Sequence, residues 1–354
     1  MQPSSNLEFS VYFFGNMEDD PQETYDLIRA VSRKADASNF TALWFPERHF
    51  DRFGGFSPNP SLLAGAIACE TRRIRLKASV ILPLHHPVRV AEEWAMVDHL
   101  SDGRVGGLAF VPGWHQQDFV LAPEMWANRY RLFKEHADVI RNLWSGQTVS
   151  LRGVEGKESR LKIYPCARQS EIPISYASLG NMESLQNAGR MGAGLLTNLL
   201  RQDVEDLQKT IEVYRDARID AGMDQSGGRV TLLMHTYLHE EKSAAIKGAH
   251  PALKRYMKSS LDLISKLSDY DLSTEYLNKM NPEDLDYLVE RATDKFISGR
   301  SLIGDLFDAV KLMKRFEKMG VTEVACFLDF GLPADLILSG MNKLSQLISE
   351  VHAC

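Results

Sequence analysis

Histidines, carboxylates and small polar residues gather in short clusters: Glu47-Arg48-His49-Phe50, His85-His86-Pro87, Trp114-His115, Ser178-Leu179-Gly180-Asn181, Thr197-Asn198, His235-Thr236-Tyr237 and Asp329-Phe330-Gly331. A histidine with an ordinary pKa of ~6.5 suits proton transfer at neutral pH, which makes His49 a candidate acid or base. Arg48 keeps its charge and suits holding a carboxylate or polarising an oxygen; an ion pair with Glu47 is the plainer alternative. A metal hydrolase would want alternate residues, as in HxH, so that both rings share one face. Here His85 and His86 are adjacent and diverge, His85 reading as solvent-facing and His86 as a hydrogen-bonded pocket residue, and no metal is expected. Nucleophilic hydrolysis lacks its GxSxG, and Cys69 and Cys326 read as core thiols. Ser178 and Asn181 precede the helical MESLQNAGRMG and offer a hydroxyl, an amide and free backbone N–H groups, an anion site. An ordinary N-cap is an equal alternative.

Such clusters need a scaffold that brings them together. Eight segments rich in β-branched and aromatic residues read as buried strands: Phe9 to Phe14, Ala42 to Pro46, Leu76 to Pro83, Val105 to Pro112, Ile172 to Ser178, Ala193 to Asn198, Thr231 to Leu238 and Glu323 to Phe330. Helical periodicity fills the gaps, as after Pro21, after Asp203, and over Leu306, Ala309, Val310, Met313 and Phe316 before Gly320. Alternating strands and helices with near-continuous apolar strands predict a (β/α)8 TIM barrel, one domain over residues 1–354. A doubly wound open sheet is the competitor, but no GxGxxG follows the first strand. Two connections are long, one over 113–171 and one from His239 to Thr322. The first holds a helix over Glu124 to Trp144 and a polar stretch with Gly146, Gly153 and Gly156 that could fold as a rim hairpin. The second supplies a candidate lid, 239–300. In this fold the carboxyl ends of the strands carry the active site, and the clusters above fall at those ends. Six of the ten histidines lie in or beside them.

The remaining composition excludes several classes. Of 354 residues, 41 are Lys or Arg and 47 Asp or Glu, giving a charge of −6 with no basic run, so nucleic acid is not expected as a partner. No apolar run reaches the ~18 residues of a membrane span, and Met1 to Asn6 is polar. The expectation is a cytoplasmic protein, with four cysteines free of CxxC spacing that read as buried thiols.

WFPERHF, LKASVILPLHHPVRVAEEWAMVDHLSDGRVGGLAF, YASLGN and SLIGD, in that order, resemble the bacterial luciferase-like flavin-dependent monooxygenases, over about Leu7 to Glu350. LPxxHPVRxAExxxxxDxLSxGR is the specific part. The form of PERHF is most similar to the natural-product branch. The resemblance implies a TIM barrel that uses reduced FMN and dioxygen. It implies a flavin ring beside a non-prolyl cis peptide, here Ala78 to Ser79, and a phosphate at Ser178, Gly180 and Asn181, with Thr197 near the cofactor. Two departures stand out. The luciferase motif has two histidines after the Glu, the first catalytic; here Arg48 takes that place and only His49 remains. The phosphate-binding Arg after the fourth strand is replaced by Pro112, and a flavin-facing Cys by Val111, so either another cation helps neutralise the phosphate or FMN binds more weakly.

In the family, reduced flavin and dioxygen give a C4a-hydroperoxide that must be shielded from water. Trp114, His115, Phe56, His86 and Tyr237 are the expected substrate-pocket residues, with Phe50 and Phe330 as further walls. The expected activity inserts one oxygen atom into a small or carrier-tethered substrate in specialised metabolism. Reduced FMN would arrive from a separate flavin reductase, since no nicotinamide motif is visible. The small-residue helix Leu62 to Ala68 and the family habit imply a homodimer. The alternatives are a deazaflavin-dependent hydride-transfer oxidoreductase and a non-catalytic flavin-binding subunit that has lost the first histidine.

Overall fold

The structure is a computed structural model that describes residues 5–113, 115–178, 180–224, 227–258, 277 and 279–353. The described elements are numbered in chain order. They run β1 (Glu8–Tyr12), α1 (Pro21–Asp36), β2 (Ala42–Pro46), α2 (Pro60–Glu70), β3 (Arg75–Ile81), α3 (Pro87–Leu100), β4 (Val105–Val111), α4 (Leu132–Trp144), β5 (Val149–Arg152) and β6 (Glu158–Leu161). Then follow β7 (Ile174–Ala177), α5 (Met182–Arg190), β8 (Gly194–Asn198), α6 (Val204–Asp220), β9 (Val230–Leu238), α7 (Lys242–Lys258), α8 (Pro282–Arg300), β10 (Leu302–Gly304), α9 (Leu306–Met319), β11 (Glu323–Phe327) and α10 (Ala334–Ala353).

Each predicted strand is present, and the sheet order β11-β1-β2-β3-β4-β7-β8 closes through β9, which pairs both β8 and β11. The result is a closed eight-stranded parallel barrel with flanking helices. Parallel strands are buried on both faces, which is why they read as unbroken apolar runs: all five residues of β2 and all five of β11 are buried. The three-residue β10, paired with Thr236 to Leu238 of β9, is an addition the sequence did not announce. The expected hairpin is β5 against β6, turning through Gly153 to Gly156. The helix expected from Glu124 begins as a short 3-10 turn, Pro123–Asn128, with no buried side chain, and becomes α-helical only where an apolar stripe (Phe133, Ala137, Ile140) starts. Residues 259–276 of the candidate lid lie outside the described residues. No described helix is long and apolar enough to cross a membrane.

By packing, the chain divides into two compact units. One comprises Met17–Asp36 and Thr41–Ala177 and contains α1 to α4 and β2 to β7. Its core is Trp44, Phe45, Leu76, Leu108 and Phe110 with Trp94 and Trp144 from the helices. Much of the LSxGR motif works here as scaffolding. Asp98 is fully buried and its carboxylate accepts the backbone N–H of Arg168 and Gln169 and the Gln169 amide. Arg104 fans its guanidinium over the carbonyls of Ala68, Thr71, Ile74 and Ser101. The other unit comprises Met1–Asn16, Ala37–Phe40 and Ser178–Cys354, around Phe9, Leu195, Leu232, Met234 and Val324. Of the cysteines, Cys326 is buried as expected, whereas Cys69 and Cys166 are exposed. Cys69 sits on the outer stripe of α2, a helix apolar on both faces, so composition alone could not orient it.

Candidate active site

In the first unit the carboxyl ends of β2 and β3 are tied by Glu47. Its side chain is completely buried, and one oxygen, Oε1, lies 2.8 Å from His49 Nε2 and 2.6 Å from His85 Nε2. The other oxygen accepts the Ile81 N–H at 2.7 Å. The segment is extended, with Glu47 N–H donating to the Ser79 carbonyl, so residues two apart share a side and Glu47 meets His49. Burial by itself would raise the Glu47 carboxyl, but the hydrogen bonds from His49, His85 and Ile81 hold it below its ordinary value. Burial would likewise lower His85, yet the Glu47 hydrogen bond and the charges of Glu47 and Glu93 hold its imidazole above the usual range.

Arg48, between them in sequence, turns the opposite way. It is 3% exposed and its two terminal nitrogens lie 3.1 Å from Asp118 and 3.0 Å from Asp51. The plainer alternative, an ion pair, is the role it takes, but with Asp118 and Asp51 in place of Glu47. A guanidinium spent on two carboxylates is not available to clamp a substrate carboxylate; it fastens the loop after β4, which carries Asp118, to the end of β2. His115 Nδ1 lies 3.7 Å from Asp118 Oδ1, so His115 belongs to this cluster. Burial pushes the Asp118 carboxyl up despite Arg48, while the Phe53 N–H and Arg48 bring Asp51 down against desolvation.

The roles of the paired histidines are reversed. His85, read as solvent-facing, is the Glu47 partner and one-third exposed. His86 is exposed and caps α3, its Nδ1 accepting the Val88 N–H. Pro87 at the first helical position fixes this: the residue before a proline is extended, and its side chain faces the free N–H groups. Phe56 is buried, and its carbonyl accepts the Tyr25 hydroxyl. Ala78 and Ser79 lie in an unbroken ladder, opposite Phe45 and Pro46 on β2 and Leu108 and Ala109 on β4. Their peptide bond is trans, since the one cis bond among the described residues is Tyr164–Pro165. The β3–β4 register shifts between Leu76 and Lys77, just before Ala78. Trp114 lies outside the described residues.

The second unit holds the other predicted residues. Asn181 is the N-cap of α5, its side chain accepting the Ser184 N–H, and Ser178 shares a hydroxyl contact with Ser184. Gly180 has φ +95°, a left-handed conformation that favours glycine. Thr197 is buried and accepts from Gln202, which in turn accepts from Thr210. Tyr237 packs between α7 and α10, where side chains at Gly248 or Gly340 would strike its ring. Burial, with Asp335 nearby, raises its hydroxyl.

Sequence reasoning missed three groups. Glu47 entered only as an alternative ion-pair partner of Arg48, although its i, i+2 spacing to His49 signals a shared side. The Asp118 link has no sequence signal. His235 is buried among Tyr256, Phe296, Phe327 and Phe330, ring centroids 4.6 to 5.4 Å away, with Nε2 lacking a hydrogen-bond partner. Burial pushes it down to about 3, so it is neutral. His235 is thus a neutral imidazole packed among four aromatic rings, with one buried nitrogen left without a partner among the described residues.

The flavin-dependent trigonelline monooxygenase, oxygenase component, of Acinetobacter baylyi is 23% identical over 98% of this chain and 94% of its own. Among solved structures, the FMN complex of the oxygenating constituent of 3,6-diketocamphane monooxygenase, a type II Baeyer-Villiger enzyme from the CAM plasmid of Pseudomonas putida, shares the fold. Its TM-score is 0.77 at 16% identity, covering 98% of each chain. An F420-dependent secondary alcohol dehydrogenase shares it too, with a TM-score of 0.72 at 18% identity over 98% of this chain and 99% of that one. The profile of the luciferase-like monooxygenases matches residues 7–323, nearly the whole barrel, and the chain belongs to that family of oxidoreductases.

Proposed function

We propose that the protein is the oxygenase component of a two-component monooxygenase that binds reduced FMN delivered by a separate flavin reductase. The observation that carries this reading is the family match, which runs unbroken from β1 through β10. The printed name of the trigonelline enzyme, an oxygenase component, supports the delivery of flavin from a partner. Ser178, Gly180, Asn181 and Thr197 would hold the phosphate end, and Ala78 and Ser79 of β3 would border the ring. When bound, reduced FMN supplies two electrons and activates dioxygen, so that one oxygen atom enters a small or carrier-tethered substrate of specialised metabolism. His49 moves a proton at its ring nitrogen, Arg48 with Asp118 holds the loop that carries it, and Phe56 and the His115 loop exclude water.

Fluorescence titration of the purified protein with oxidised and with anaerobically reduced FMN tests the reading. Saturable binding of the reduced form is expected, and binding of neither form sinks it. The likeness to the F420-dependent dehydrogenase favours a second reading, hydride transfer from a deazaflavin without oxygen. Parallel titration with F420 decides between them by which cofactor binds more tightly. We further propose a homodimer through α2 and α3. Leu62, Met96 and Leu100 are 73%, 55% and 58% exposed, an apolar stripe of the kind that marks an interface. Sedimentation of Leu62→Glu against the unaltered protein should show monomer in place of dimer.

A further inference from the structure

Glu47 Oε1 stands within hydrogen-bond distance of two imidazole nitrogens at once, His49 Nε2 at 2.8 Å and His85 Nε2 at 2.6 Å. An ionised carboxylate has no hydrogen to give, so each ring must bring its own. Both histidines are thereby held as Nε2–H tautomers, and no described residue bonds the other nitrogen of either ring. His85 is 33% exposed and His49 10%. We propose that Glu47 is a positioning residue that makes His49 and His85 one proton-exchanging unit: both rings take up and release protons at Nδ1, with His85 the solvent-facing member. The carboxylate balances one positive charge, so a proton bound at Nδ1 of one ring disfavours a second at Nδ1 of the other. Charge passes between them when one Nδ1 releases its proton to water and the other takes one up. The titratable and charged groups that face the pair are Glu93 of α3, which acts on His85, and Asp118 with its partners Arg48, Asp51 and His115 on the His49 side. This rests on the monooxygenase reading only for the use to which the His49 proton is put.

The test is a histidine ¹⁵N–¹H titration of the flavin-free protein from about pH 5 to 9, with resonances assigned from His49→Gln and His85→Gln. Both rings should show the Nε2–H pattern on the alkaline side. His49→Gln should raise the His85 midpoint by about one pH unit, because the carboxylate then acts on that ring alone. Glu47→Gln should lower the His85 midpoint by about one unit. The proposal is overturned if either ring is the Nδ1–H tautomer, or if the His85 midpoint moves by less than about 0.3 unit in His49→Gln. No cofactor is present, so failure of FMN binding leaves these outcomes readable.

Discussion

Two buried glutamates occupy opposite kinds of position on the strands that carry them, and their partners differ in one chemical respect. Glu47, at the carboxyl end of β2, is bonded by two imidazoles and a backbone N–H. Glu323 opens β11; its side chain is equally buried and takes hydrogen bonds from Ser10 at 2.6 Å and Thr231 at 3.1 Å, with Arg229 3.4 Å away and also paired to Glu8. The Glu8 carboxylate raises the Arg229 guanidinium still further against desolvation, so it never gives up its proton. Glu323 is therefore paired with a group whose own charge does not change over the working pH range. Glu47 is held by groups that titrate in the range where proteins work, which makes the same buried carboxylate an exchangeable one. In a parallel barrel the amino end serves stability and the carboxyl end chemistry, and the two glutamates divide along that line.

The largest effect should come from separating stability from activity at these positions. Glu323→Ala leaves the Ser10 and Thr231 hydroxyls without their buried acceptor and removes one of the two carboxylates beside Arg229, and should cost about 3 kcal/mol in urea unfolding, with turnover per folded molecule unchanged. Glu47→Gln keeps an acceptor for Ile81 and should lose only ~1 kcal/mol, but turnover should fall about 100-fold. If Glu323→Ala lowers turnover of the folded fraction as far as Glu47→Gln does, the division is wrong.

How much of this was legible in the sequence follows from what each residue type can signal. The eight barrel strands could be read because burial on both faces writes continuous apolar runs; β10, with three residues, is too short to write one. The clusters at strand ends were found as clusters. Their wiring was not, because it is made across strands: Glu47 reaches His85 thirty-eight positions away and Arg48 reaches Asp118 seventy away. His85 and His86 could not be told apart, since adjacent side chains diverge and the start of α3 decided which one caps. The motif that most strongly carried the resemblance proved largely structural at Asp98 and Arg104, where scaffold and chemistry share one stretch of chain.

The next effect concerns Arg48 and Asp118, the ion pair beside the Glu47 cluster. Arg48→Met alone leaves Asp118 buried without its counter-charge and should destabilise by about 3 kcal/mol. Pairing it with Asp118→Leu should recover more than half, because neither charge then needs solvation. Additive losses in the double-mutant cycle would show that the two side chains do not depend on each other, and Arg48 would again be available to bind substrate.

A smaller difference is in pH dependence. His85 has a raised value in the folded protein, so its contribution is fully present below the ordinary imidazole pKa and is lost as pH rises through the raised value. Partial exposure screens it, so the stability difference between the unaltered protein and His85→Gln should be under about 1 kcal/mol below the ordinary imidazole pKa and should disappear as pH rises through the raised value. Arg229→Gln, at the other glutamate, should show a loss that is flat across the same range. Equal slopes for both variants in chemical denaturation would erase the distinction between a carboxylate paired with a fixed charge and one paired with imidazoles.

The smallest effect lies in the backbone. Phe50, next to His49, has φ +55° and is 55% exposed, its ring centroid 5.7 Å from that of His49. A left-handed conformation is unfavourable for a side-chain-bearing residue, so it persists only because the Arg48 to Asp51 ion pair and the turn back to Ser57 impose it. Glu323 sits instead in a regular ladder, paired with Glu8 on one side and Thr231 on the other. Glycine should therefore have opposite effects in the two places. Phe50→Gly relieves the strained backbone and should raise stability by about 0.5 kcal/mol while loosening His49, whereas Ala325→Gly in β11 should lower it by about 1 kcal/mol. A destabilised Phe50→Gly would mean that ring contact with His49 outweighs the strain, and that Phe50 is a packing partner of the imidazole more than a consequence of where Glu47 holds it.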